Sequence, residues 1–266
     1  MKLSISNIAW KKENDKEMYD FLSLNGFSGI EIAPTRIFPE APYDKLNEAK
    51  KWAEDLKSQY GLMISSMQSI WYGRKENIFS SDFERLVLFD YTKKAIDFAR
   101  SIECKNLVFG CPKNRNIPVG LDENSVNNIA MVFFRVIGKY AYENGTVFSL
   151  EANPEIYGTN FINKTKTAFS IAEQIGSSGV KVNLDFGTII QNQENLELLK
   201  GKVHLINHVH ISEPYLKAVQ NRKEHESLAE ILQKENYTGF VSIEMGLCED
   251  LETVKNLCKY VKEIFA

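Results

Sequence analysis

Cysteine is scarce in this chain and unpatterned. Cys104, Cys111, Cys248 and Cys258 show no CxxC spacing and no dense framework, which argues against a disulfide-built scaffold and a thiolate zinc finger. Reduced thiols in a cytoplasmic protein are the expectation. Charge of one sign is missing too: the formal net charge is −3 over 266 residues, without the basic excess of a nucleic-acid-binding domain. No apolar run approaches the roughly 20 residues that span a bilayer. Met1-Lys2-Leu3-Ser4-Ile5-Ser6 enters a strand-like alternation directly, without the basic region, apolar stretch and cleavage site of a signal peptide. Nucleic-acid and membrane partners are therefore not expected. No GxGxxG and no phosphate-binding loop follow the first strand-like run, which leads into Ile8-Ala9-Trp10-Lys11 and speaks against an open doubly wound nucleotide-binding sheet. Low-complexity tracts and long Pro/Gly/Ser linkers are also absent, so nothing divides the chain into separate domains.

What is present is a regular alternation. Apolar residues make up 44% and charged residues 25%, the balance of a soluble protein with a sizeable core. Eight short β-rich runs recur: Leu3–Ala9, Gly29–Ala33, Met63–Gln68, Asn106–Gly110, Thr146–Glu151, Val180–Asp185, Ile206–Ile211 and Phe240–Glu244. Between them lie stretches with apolar residues at three- and four-residue steps. In 83–102, Leu86, Phe89, Ala95 and Phe98 mark one face; in 250–265, Leu251, Val254, Leu257, Cys258, Val261 and Ile264 do so. Strands separated by helices call for parallel pairing, because a parallel crossover needs a dozen or more residues. Eight units of about 33 residues predict an α/β protein of the (β/α)8 TIM-barrel class, a single domain over residues 1–266.

Four of the runs end alike, in a polar residue, an apolar residue and then a metal-ligand type: Ser149-Leu150-Glu151, Asn183-Leu184-Asp185, His208-Val209-His210 and Ser242-Ile243-Glu244. Strand side chains alternate faces, so each polar pair points one way and the intervening aliphatic residue the other. Burying three carboxylates and an imidazole without partners costs several kcal/mol per charged group. A divalent cation removes that cost. In a barrel these residues fall at the C-terminal ends of the fifth to eighth strands, where active sites of this architecture lie. Glu151, Asp185, His210 and Glu244 are thus the predicted ligands of one divalent metal. The mostly oxygen donor set suits Mn2+ best, with Mg2+, Co2+ or Zn2+ also accommodated.

At these residues the chain resembles the xylose isomerase-like barrel superfamily, in particular the sugar isomerase/epimerase branch that contains the D-tagatose 3-epimerase-like enzymes. The carrying stretches are 148–153 (FSLEAN), 182–187 (VNLDFG), 208–213 (HVHISE) and 237–244 (YTGFVSIE), with likeness in style at 26–32 (GFSGIEI). The resemblance implies a metal-dependent isomerase or epimerase of a small-molecule carbohydrate, with Glu151 and Glu244 as the acid/base pair. Proton removal beside a carbonyl becomes feasible when a Lewis acid spreads the enolate charge and a carboxylate takes the proton. Return of the proton to the opposite face inverts a carbon; loss of a β-hydroxyl from the same enolate makes the enzyme a dehydratase. A metal-binding barrel without turnover is a further alternative, and homo-oligomer formation is left open. The DNA repair endonuclease of this superfamily needs extra histidines for a multinuclear zinc centre, and only four histidines are present.

Thr188 stands where the epimerase-like enzymes carry a substrate-contacting His, and Leu216, followed by Lys217, where they carry an Arg. Glu31, Gln68 and Lys217 are the expected substrate contacts. Asn153 reads as a turn cap, and Trp10, Trp71 and Tyr157 as pocket wall or packing. His208 reads as a core or supporting histidine one layer below His210. His225 lies in a charged stretch and is expected in solvent; Cys111 has no basic neighbours that would make a reactive thiolate.

Overall fold

A computed structural model describes all 266 residues. Eight strands alternate with helices: β1 (Lys2–Ile5), β2 (Gly29–Ile32), β3 (Met63–Met67), β4 (Leu107–Phe109), β5 (Phe148–Glu151), β6 (Val180–Asp185), β7 (Ile206–Ser212) and β8 (Phe240–Glu244). The helices are α1 (Asp15–Leu24), α2 (Pro34–Ile37), α3 (Leu46–Tyr60), α4 (Asp82–Ser101), α5 (Glu123–Glu143), α6 (Thr165–Ile175), α7 (Phe186–Asn192), α8 (Lys223–Lys234) and α9 (Leu251–Phe265). Every strand pair is parallel, in the order β1-β8-β7-β6-β5-β4-β3-β2. A bridge between Ser6 and Glu31 and a bond from Ser28 N to the Leu3 carbonyl (3.2 Å) close the seam between β1 and β2. The result is the (β/α)8 barrel. No helix is long and apolar enough to cross a membrane.

The strand alternation sorts the side chains into two regions. Leu150, Leu184, Val209 and Ile243 point outward, fully buried against the helices, and build the apolar core between the two layers. The barrel lumen, usually filled by branched aliphatic residues, is polar here. Ser4 and Ser65 share a 2.6 Å hydroxyl contact, while Asn106 donates to Ser66 (2.9 Å) and accepts from Ser149. Each such bond offsets the desolvation of a buried polar group.

Two local expectations need correction. The first run is strand only to Ile5, after which Asn7–Ala9 coil into a 3-10 turn. In α4 the buried residues are Leu88, Thr92, Ala95, Ile96, Phe98 and Ala99, so Ala95 and Phe98 lie inward as expected, while Leu86 is 58% exposed. The helix presents the 88/92/95/99 ridge to the barrel, a four-three-four spacing that the choice of the larger side chains at 86 and 89 had obscured.

Candidate active site at the barrel mouth

The four strand-end residues converge, though not in a flat ring. Glu151 is in register with Asn183, Asp185 with His210, and Ser212 with Glu244. The positions climb by a residue pair from β5 to β6 and again from β7 to β8. Tilted barrel strands are staggered by the shear, so a staircase in register becomes one level in space. One donor atom from each of Glu151, Asp185, His210 and Glu244 lies within 4.8 Å of all the others.

His210 is the hinge of the group. Its Nδ1 is 3.0 Å from Glu151 Oε1 and 3.1 Å from Glu244 Oε2, and its Nε2 is 2.7 Å from Glu31 Oε2. Asn183 donates to Glu151 Oε1 at 2.7 Å, and Asn153 to Glu151 Oε2 at 3.1 Å. Asp185 closes β6 and caps α7: Thr188 N donates to its Oδ2 at 2.8 Å, and Ser212 donates to its Oδ1. Thr188 Oγ1 lies 2.7 Å from both Asp185 Oδ2 and the Ala152 carbonyl, so it faces the strand ends rather than the cavity.

The electrostatics are those of crowded carboxylates. Burial pushes Glu244 up to about 7 against the opposing pull of His210, and burial followed by the charge of Glu151 raises Asp185. Burial by itself would lower His210, but the carboxylates of Glu244 and Glu31 hold it well above the usual histidine range. Three carboxylates gathered around one imidazole nitrogen fit a divalent cation, which would relieve their mutual repulsion and supply the partner that burial removes.

Above the cluster opens a cavity of about 170 Å3. Gln68, Ser69, Gly110, Asn153, Tyr157 and Leu216 line it beside the carboxylates, and no lysine, arginine or histidine does so. Tyr157 walls the cavity, its hydroxyl accepting from Tyr215 N at 2.8 Å. Trp10 and Trp71 do not. Trp10 donates to Asp15 and Trp71 to Thr92, both at 2.9 Å, and both indoles are packed inside. A wider cleft of about 760 Å3 at the opposite end of the barrel, with Lys2, Lys50, Lys57, Arg100 and Lys105 on its walls, holds no ligand-type cluster and lies at the end where this architecture places stability.

The expected substrate contacts are scattered. Gln68 lines the cavity but donates its amide to Ser6. Glu31, expected to face the mouth, lies wholly buried beneath it against His208 and His210. Lys217 is exposed outside the cavity, its ammonium 5.9 Å from the Tyr215 ring; the Leu216 side of the loop faces inward instead. His225, expected in solvent, is fully buried, bonded through Nδ1 to Tyr260 Oη (2.9 Å) and packed on Phe186 at 4.5 Å between centroids. The charged residues around it in sequence, Lys223, Glu224 and Glu226, are exposed on the outer side of α8, turned away from the face it shares with Leu228, Ala229 and Leu232. Cys111 is buried, and burial pushes its thiol up to about 12, which leaves it inert.

Arg115 was not anticipated. It is fully buried, donates to the carbonyls of Glu151 (2.9 Å) and Phe109 (3.3 Å), and holds the Asn153 oxygen at 2.6 Å. The Asn153 amide is thereby turned toward Glu151, so its role is broader than the expected cap. Nothing in a loop arginine six residues past a strand signals this. Asn183 and Ser212, by contrast, share strand parity with Asp185 and His210 and were readable from that alternation.

Comparison with known proteins agrees with this geometry. Residues 19–263 match the family model described as xylose isomerase-like TIM barrel. A search of curated proteins by sequence finds no match. Among solved structures, the chain is similar to the 3-keto-D-glucoside 4-epimerase YcjR from E. coli (TM-score 0.78, 20% identity, 99% of each chain covered). It is also similar to D-psicose 3-epimerase from Clostridium cellulolyticum H10, solved with D-tagatose (TM-score 0.78, 16% identity, covering 100% of this chain and 99% of that one). The IolI protein, solved with a zinc atom, superposes with a TM-score of 0.71 at 15% identity, covering 99% of this chain and 96% of that one. A polar lumen, eight parallel strands and a matched stretch that spans nearly the whole sequence lead to one assignment: the chain belongs to the xylose isomerase-like TIM barrel family.

Proposed function

We propose that this protein is a divalent-metal-dependent epimerase or isomerase of a small, unphosphorylated keto sugar or sugar derivative. The observation that carries the reading is the convergence of Glu151, Asp185, His210 and Glu244 on one point at the strand ends. Those four side chains would hold the cation. When bound, it supplies Lewis-acid stabilisation of negative charge developing on substrate oxygens. The protein supplies the proton chemistry. Glu151 and Glu244 reach the same point from β5 and β8, and each can exchange a proton with a carbon held between them. Asn153 and Asn183 clamp both oxygens of Glu151, while no side-chain amide or hydroxyl binds Glu244. Glu151 is therefore the oriented member of the pair and Glu244 the freer one.

The charge of the cavity selects the substrate. Glu213 on its wall is already paired with Arg222 (2.6 Å), and no lysine or arginine lines the cavity to pair with a phosphate monoester, whereas a neutral polyol finds acceptors for its hydroxyls. The sugar epimerases among the similar structures support the same class of chemistry. The test is a screen of ketoses, keto-polyols and their phosphates with Mn2+ in heavy water. Deuterium entry at a carbon beside the carbonyl of an unphosphorylated compound is the expected result. Exchange confined to phosphorylated compounds would overturn the substrate class, and no exchange with any of them would overturn the reaction.

A further inference from the structure

Glu31 is a wholly buried carboxylate that the proposed reaction leaves unused. It sits at the closing seam of the barrel, bridged to Ser6, where the register of β2 against β3 slips between Ile30 and Glu31. Such an irregularity re-aims a side chain, and here the carboxylate ends beneath the mouth. Its Oε2 is 2.7 Å from His210 Nε2 and 3.3 Å from His208 Nε2, and the two imidazoles stand nearly perpendicular at 89°. The other nitrogen of His210, Nδ1, faces Glu151 and Glu244.

An ionised carboxylate can only accept hydrogen bonds, so the ring nitrogen against it must carry the proton. The nitrogen that faces the mouth, Nδ1, is then the one a cation there would meet, in place of its present contacts with Glu151, Glu244 and the Asn183 amide (3.0, 3.1 and 3.2 Å). We infer that Glu31 is a positioning residue. It fixes His210 in the Nε2-protonated form and in the ring plane that presents Nδ1 to the divalent cation. This role presupposes the metal-dependent reading of the mouth. It also assigns Glu31 away from the substrate.

The test uses the full chain labelled with 15N-histidine and loaded with Zn2+, in which only four histidines contribute signals. His210 is expected to show a slowly exchanging proton on Nε2 and a metal-shifted Nδ1. In calorimetric titrations, wild type is expected to bind one Mn2+ per chain, and Glu31→Leu to bind it about 10–100-fold more weakly. Glu31→Gln, which keeps an acceptor oxygen, is expected to fall between the two. Metal on Nε2 with the proton on Nδ1 would overturn the role. So would Mn2+ affinity unchanged in a folded Glu31→Leu protein, or a second Mn2+ held by Glu31, His208 and His210, whose donor atoms also lie within 4.8 Å of one another. If Glu31→Leu does not fold, the wild-type nitrogen spectrum decides. A wild-type protein that binds none of Mn2+, Mg2+, Co2+ or Zn2+ would overturn the metal reading itself and this role with it. Normal wild-type binding alongside an indifferent variant removes only the role of Glu31.

Discussion

The two halves of the barrel wall face one cavity with opposite chemistry. Strands β5 to β8 end in Glu151, Asp185, His210 and Glu244, whereas the β3 and β4 side offers Gln68, Ser69, Gly110 and Pro112, all neutral. Donor atoms that must share one cation have to lie within a few ångströms, and four consecutive strands arrange that here. The facing half then has to stay small and uncharged so that a substrate fits between. Gly110 makes the dependence explicit: a Cβ there would stand 2.2 Å from Glu151 Oε2. Its backbone needs no left-handed conformation. The glycine serves the carboxylate beside it on the neighbouring strand and not its own turn.

Removing charge from the acidic half should have the largest effect. Glu151→Gln or Glu244→Gln is expected to cut exchange of the substrate's α-proton with solvent deuterium by about 10²–10⁴-fold, while the circular dichroism spectrum is retained. Retained exchange in both variants would end the proposed division between the halves. Adding one methyl group to the neutral half comes next. Gly110→Ala must displace the Glu151 carboxylate, and an error of about 1 Å in a reacting group costs about 10²-fold; wild-type turnover in that variant would show that the small residue is incidental.

A second pair sharpens the contrast between a histidine in the mouth and one in the wall. His225 is lowered to about 4, chiefly by burial, with Glu213, Glu224 and Arg222 the charges near it. Its folded-state value lies below the unfolded one, so the unfolded chain binds more protons between about pH 6.5 and 4. Stability should therefore fall on acidification through that window, by up to about 3 kcal/mol. Urea unfolding at pH 7.5, 6 and 4.5 measures the slope, and His225→Phe should flatten it; an unchanged slope would place the acid sensitivity elsewhere. The smallest effect belongs to Lys217→Ala. Lys217 lies outside the cavity, so activity should stay within about twofold of wild type, and a tenfold rise in KM would return that lysine to the substrate.

The legible parts of the site are those that strand periodicity encodes. Ser149, Asn183, His208 and Ser242 alternate with aliphatic residues, and that period of two carried the four strand-end residues, the lumen beneath them and the outward core in one stroke. Loop residues had no such signal. Thr188 and Leu216 could be seen to replace expected contacts, yet their actual bonds, to Asp185 and the Ala152 carbonyl for Thr188 and from Gly246 N to the Leu216 carbonyl (2.7 Å), depend on where two loops meet. The α8 face of His225 was misread because charged neighbours in sequence occupy a different side of a helix.

The order of residues determined by itself the eightfold alternation, hence the barrel, and the set of strand ends that carry ligand-type side chains, because both follow from local periodicity and short-range chain geometry. Only the tertiary structure decided that the register climbs as a staircase, that Arg115 lies under Glu151, and that Glu31 closes on His210 across 179 positions of sequence. Those contacts come from barrel closure. Closure joins the first strands to the last, and no local pattern reports on a partner that distant.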